Sequence, residues 1–166
     1  MKTLILGIGN PIMRDDAAGV VAAQRLAQRI PAEVVTGAAS GLAVLDQLSG
    51  YDRAIIVDAT HTGQDAPGTV RRWEPPSGAE AEPAAMGPGG GGAHEVGLPG
   101  LLTWGTRTLP DLPTDIVVYT IEATELSTLG EGLSAAVEEG IARLVDRVVQ
   151  DHFAGHGTTA PNEAAQ

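Results

Sequence analysis

The strongest constraint on the fold is an alternation. Short apolar runs alternate with stretches of helical period, and glycine or proline separates them. Lys2 to Ile8 is apolar nearly throughout, as a strand buried on both faces should be. A helix follows from Asp15 or Asp16, one of which caps it, to about Ile30. Val20, Val21, Ala23, Leu26 and Ala27 mark its apolar face, and Pro31 ends it. Ala32 to Thr36 is a second strand, and Leu42, Leu45 and Leu48 mark a short helix closed by Gly50. Arg53 to Val57 is a third strand with Asp58 at its end. Strand, helix, strand, helix, strand in this order means parallel βαβ units with right-handed crossovers.

The pattern then changes. The loop from Asp58 to Thr69, with Gly63, Pro67 and Gly68, is too short for a helical crossover, so Thr69 to Trp73 is expected to pair antiparallel. Glu74 to Ala93 is dominated by Pro, Gly, Ala and Glu, including four consecutive glycines, and is expected to be a flexible surface loop. His94 opens a helix carrying Val96, Leu98, Leu101, Leu102 and Trp104. Ile116 to Ile121 is the last strand, Glu122 to Gly132 a loop, and Leu133 to Val148 the apolar face of the longest helix. The expectation is one α/β domain over residues 1–153, with a flexible loop at 74–93 and a disordered tail at 154–166. Its fold class is a three-layer α-β-α sandwich around a mostly parallel five-stranded sheet with one antiparallel strand.

Composition removes several classes of function. The net charge of −11 argues against nucleic acid and anionic membranes as partners. Cysteine is absent, which excludes disulfides, thiolate catalysis and cysteine-based metal sites. No signal peptide and no membrane-length apolar run is visible, so the expected compartment is the cytoplasm. The expected oligomeric state is a monomer.

The chemistry concentrates at Gly7-Ile8-Gly9-Asn10-Pro11-Ile12-Met13-Arg14-Asp15-Asp16. A dinucleotide fingerprint needs Gly-x-Gly-x-x-Gly after a strand, but Ile12 stands in the third position and no Walker lysine is present. The glycines are better read as a tight turn. Two adjacent aspartates exceed what one helix cap requires, which leaves one carboxylate free. Asp58 is either an ordinary turn residue or a second carboxylate in the same crevice, since both follow parallel strands at their carboxyl ends. His152 and His156 fall at a frayed end, where solvent exposure is expected. His61 lies three residues past Asp58, and His94 joins a loop to a helix. Two carboxylates and an imidazole without a thiolate would suit a borderline divalent metal such as nickel or zinc, although three residues so far apart in sequence are a permissive pattern.

Four motifs recur together: Gly-Ile-Gly-Asn-Pro-x-x-x-Asp-Asp-x-x-Gly from Gly7 to Gly19, Ile-Ile-Val-Asp-Ala from Ile55 to Ala59, Ala-Pro-Gly-Thr-Val from Ala66 to Val70, and His-x-x-Gly-Leu from His94 to Leu98. In these, and in Leu133-Ser134-x-x-Val137, the chain resembles the hydrogenase maturation proteases from about Met1 to Val149. The resemblance implies an endopeptidase that removes the C-terminal extension of a nickel–iron hydrogenase large-subunit precursor after nickel insertion. It implies Asp16, Asp58 and His94 as both catalytic and metal-contacting positions, with Gly7, Asn10, Ser40 and Gly41 on the substrate. Nickel is then brought by the substrate and is no permanent cofactor. Departures are Asp16 where many relatives carry Glu, Ala17 where many carry Gly, and Gly37-Ala38-Ala39-Ser40, which displaces or loses the hydroxyl of a Gly-Gly-Thr/Ser segment. Three other readings compete. Peptidyl-tRNA hydrolases also open with Gly-x-Gly-Asn-Pro, but they need a nearby histidine and a basic surface. The others are a non-catalytic chaperone or binding module on the same fold, and a nucleotide-binding regulator.

Overall fold

The computed structural model describes residues 1–37, 41–75 and 97–154. The expected flexible loop, apart from its first two residues, and the tail beyond Ala154 lie outside these, as do Ser40, His94 and His156.

The strands are β1 (Thr3–Ile8), β2 (Glu33–Gly37), β3 (Arg53–Thr60), β4 (Val70–Trp73) and β5 (Asp115–Glu122). The helices are α1 (Ala18–Ala27), α2 (Leu42–Leu48), α3 (Leu98–Thr108) and α4 (Ala135–Phe153). They form a five-stranded sheet in the order β2-β1-β3-β5-β4. All neighbours run parallel except β4, which pairs antiparallel with β5 from Val70↔Ile121 to Trp73↔Val118. The antiparallel strand expected from the short connection is therefore present.

Strand alternation sends successive side chains to opposite faces, and each face has its own core. Ile5, Ile55, Val57, Val117, Tyr119 and Ile121 pack with α1 and α4. Leu4, Leu6, Ile8, Ile56 and Val118 pack with Val44, Leu45 and Leu48 of α2 and Leu101 and Leu102 of α3. This is the three-layer α-β-α arrangement. The middle strands carry almost unbroken buried runs, as covering on both faces requires.

Several boundaries differ from the expectation. Helix α1 ends at Ala27, because residues 28–32 form turns, and a 3₁₀ turn over Arg14–Ala17 precedes it. Strand β3 continues to Thr60, so Asp58 lies inside the strand. What ends at this level is its partner: the β1–β3 register stops at Gly7↔Val57, while Asp58 still pairs with Thr120 of β5. Strand β5 likewise runs on to Glu122. His152 is half-buried, with Nε2 2.9 Å from the Tyr119 hydroxyl. The last helix is held against β5 at that point rather than frayed.

Candidate active site

The chain leaves β1 toward β2 on one side and returns to β3 on the other. That reversal opens a crevice at the carboxyl ends of β1 and β3, the usual ligand position in an open α/β sheet. Asp16 and Asp58 both stand there.

Asp16 arrives through the glycine turn. A Cβ on Gly9, whose φ is +148°, would overlap the carbonyl oxygen of Asp16. A Cβ on Gly19 would overlap Ile8 O and come within 2.5 Å of Val57 O. Only glycine lets the start of α1 sit this close to the two strand ends, and that closeness sets where the 3₁₀ turn delivers its side chains. The Asn10 N–H donates to Asp16 Oδ2 at 2.9 Å, and Asn10 Oδ1 accepts from the Ile12 N–H at 3.2 Å. The turn therefore points the Asp16 carboxylate back over its own loop.

Asp15 behaves differently. Its side chain is buried, with the residue 3% exposed. It accepts from Ser134 N at 2.7 Å, Ser134 Oγ at 2.9 Å and Thr124 N at 3.1 Å. It does not cap its own helix, where no side-chain cap is formed. Instead it ties the segment after β5 and the start of α4 to the glycine loop. The expected helix cap is therefore not what Asp15 provides, and Asp16 is not free either, since it accepts from Asn10 N. Nothing local in the sequence signals a partner more than 100 positions away.

Asp58 shares its face of β3 with Ala54 and Ile56, the side covered by α2 and α3. Burial pushes its carboxyl up to about 7. The Ala59 N–H opposes that shift, and the negative charge of Asp16 adds to it. Two carboxylates far apart in sequence thus feel each other across the crevice.

Glu122 was missed as anything but loop. It is 4% exposed and accepts from the N–H groups of Thr62 and Gly63, each at 2.8 Å, and from Thr62 Oγ1 at 3.0 Å. Burial would raise its carboxyl, but these donors outweigh it and hold it below the usual range. It clamps the chain just past Asp58. The rule that singled out Asp58, an acidic residue closing an apolar strand, would have found it. His61 sits in this clamp with Nδ1 3.1 Å from Ala123 O. A carbonyl can only accept, so Nδ1 carries a proton, and Nε2 has no partner among the described residues.

The remaining predicted residues divide. Gly7 is buried in β1 between Thr36 and Val57, where its lack of a side chain admits Gly19 and Ala23. Gly41 precedes α2 with φ +57°. Ser40 and His94 lie outside the described residues, and among those described no three His, Asp or Glu groups form a cluster able to hold a metal. Three residues after His94, Gly97 leads directly into α3, which packs on the same side of the sheet as Asp58.

Comparison with known proteins points one way. The chain is 36% identical over 74 residues to the hydrogenase 2 maturation protease of Escherichia coli strain K12, an alignment covering 42% of this chain and 45% of that protein's length. It is 25% identical over 163 residues to the hydrogenase expression/formation protein HupD of Thiocapsa roseopersicina, covering 96% of this chain and 71% of that one. The structure of the hydrogenase maturating endopeptidase HybD from E. coli superposes with a TM-score of 0.69 at 28% identity, covering 91% of each chain. A family model described as hydrogenase maturation protease matches residues 20–151, well over half of the chain. On that match and the shared fold, the chain belongs to the hydrogenase maturation protease family.

Proposed function

We propose that this protein is the endopeptidase that removes the C-terminal extension of a nickel–iron hydrogenase large-subunit precursor once nickel has been inserted. The observation that carries the site assignment is the convergence of Asp16 and Asp58 at the β1/β3 crevice, with Asp58 raised to about 7. A group whose pKa lies near the working pH can both take and return a proton. Asp58 as carboxylate removes a proton from water. The water oxygen bonds to the scissile carbonyl carbon, the C–N bond breaks, and protonated Asp58 returns the proton to the departing nitrogen.

Nickel enters as part of the substrate. Two facing carboxylate oxygens and an imidazole fit a borderline dication, and such an ion would relieve the repulsion between Asp16 and Asp58. The family resemblance supplies His94 as the imidazole; it precedes Leu98, the first residue of α3, by four positions in sequence. The peptidyl-tRNA hydrolase alternative has neither the expected histidine in the first loop nor a basic surface in a chain of net charge −11.

A processing assay tests this. The protein is incubated with nickel-loaded and nickel-free precursor of nickel–iron hydrogenase large subunits from the same organism, and the C-terminal peptide is followed by mass spectrometry. Only the nickel-loaded precursor is expected to be cut. Asp16→Asn, Asp58→Asn and His94→Ala should each lower kcat by about 100-fold or more while remaining folded. Intact nickel-loaded precursor with wild-type protein ends the protease assignment, and unchanged rates in the three variants end the site assignment.

A further inference from the structure

One surface beside the carboxylates is built yet unused by the chemistry above. Met13 and Gly130 form an isolated parallel bridge, with Gly130 N donating to Ile12 O and Arg14 N donating to Gly130 O, each at 3.0 Å. In a parallel pair the preceding residues are neighbours, which sets Ile12 beside Leu129. Both are exposed, Ile12 at 58% and Leu129 at 72%. Ile12 is joined to the site through Asn10, which accepts from Ile12 N and donates to Asp16 Oδ2. Leu129 is held on the other side by Asp15, whose carboxylate fixes Thr124 and Ser134 at both ends of its loop.

Arg14 adds a charge. Of the ten Lys and Arg residues, eight meet a carboxylate or a carbonyl oxygen, and Arg14 and Arg107 alone lack such a partner among the described residues. Arg14 is exposed, and a Cβ added to Gly130 would meet its Cγ at 3.4 Å and Cδ at 3.6 Å. The guanidinium stem therefore lies over the bridge that carries the two aliphatic side chains. In a molecule of net charge −11 Arg14 is one of only ten cationic side chains, and it stands beside Asp15 and Asp16. Aliphatic side chains held in water by a fixed backbone bridge offer buried area to a partner at a reduced backbone ordering cost. A guanidinium with no partner among the described residues, set beside them, selects a carboxylate.

We infer that Ile12, Leu129 and Arg14 form a docking ledge for the polypeptide being cut, taking an aliphatic side chain followed closely by a carboxylate. The carboxylate is either an acidic side chain or the terminus of the extension. The occupant follows from continuity with Asp16, and the inference therefore rests on the proposed endopeptidase function.

The test uses the full protein with two probes: the nickel-loaded precursor, and a fluorescent synthetic peptide with the sequence of its extension. Ile12→Ser, Leu129→Ser and Arg14→Gln are each expected to raise KM about tenfold with kcat changed by less than about twofold, and to weaken peptide binding in parallel. Because all three side chains are exposed, wild-type melting temperatures are expected. Arg14→Glu should weaken binding further. Lysine in place of an acidic residue of the peptide restores it if a side chain is read; amidation of the peptide end restores it if the terminus is read. Unchanged KM in all three folded variants, or losses in kcat alone, overturns the ledge. If wild-type protein binds the peptide through these residues but cuts no precursor, the ledge stands and the protease assignment falls. If it neither cuts nor binds, both fall.

Discussion

Asp58 is half-buried across the crevice from Asp16, and the consequence for stability has a definite sign. Its carboxyl titrates at about 7 in the folded chain against 3.8 in the unfolded one. Between those values the native state binds more protons, so stability falls as pH rises through about 7. Asp58→Asn removes that cost. In metal-free buffer the variant should be more stable than wild type at pH 8 by roughly 1–3 kcal/mol, and this excess should shrink toward pH 4. Urea unfolding at the two pH values measures it, and an equal or lower midpoint at pH 8 would contradict the burial described. Asp15, 3% exposed, accepts three hydrogen bonds, from Thr124 N, Ser134 N and Ser134 Oγ. Adjacent and chemically identical in sequence, Asp15 and Asp16 differ in what they hold: Asp15 the distant loop, Asp16 its own glycine turn. Asp15's anchors come from Thr124 and Ser134, and local sequence carries no signal for contacts at that distance.

At the level of elements, the β1–α1 unit is set by clearance. Gly7, Gly9 and Gly19 fill no space so that the helix start can rest on the ends of β1 and β3. Gly19→Ala would drive a methyl group into Ile8 O and Val57 O and should destabilise the fold by about 2 kcal/mol or more, with loss of processing. Gly50 has φ +81° with nothing within 4 Å of an added Cβ, so Gly50→Ala should cost only about 1 kcal/mol and leave processing intact. Thermal melts with the processing assay separate the two, and equal effects would show that contact with the strand ends is not what Gly19 provides. The alternation of strands and helices was readable because hydrophobic period reports it directly. The ends of β3 and β5 were not. Both strands run past their apolar runs into Thr60 and Glu122, where pairing between strands, not side-chain character, sustains them.

Across the whole molecule, two cores separated by the sheet hold the crevice open at one end. Ile141, Leu144 and Val148 of α4 are fully buried against the face that also receives α1. Leu144→Ala should cost about 2–5 kcal/mol in urea unfolding. The crevice lies at the strand ends, so processing at a temperature where the variant remains folded should keep a near wild-type KM. A raised KM under those conditions would mean that the helix layer shapes the site directly. The described residues contain no helix long and apolar enough to cross a membrane.

The sequence by itself determined the layer architecture, the antiparallel edge strand and the carboxylates worth watching. Each depends on local periodicity, connection length or residue type at a strand end. Tertiary structure alone decided that the sheet reverses between β1 and β3, that Asp58 lies within hearing of Asp16, and that Asp15 fastens the far loop. It also decided that Ile12, Leu129 and Arg14 share one ledge. These are contacts between segments 40 to 120 positions apart. They exist only after the chain has closed around its cores, when burial and repulsion act on charges that the extended chain keeps apart.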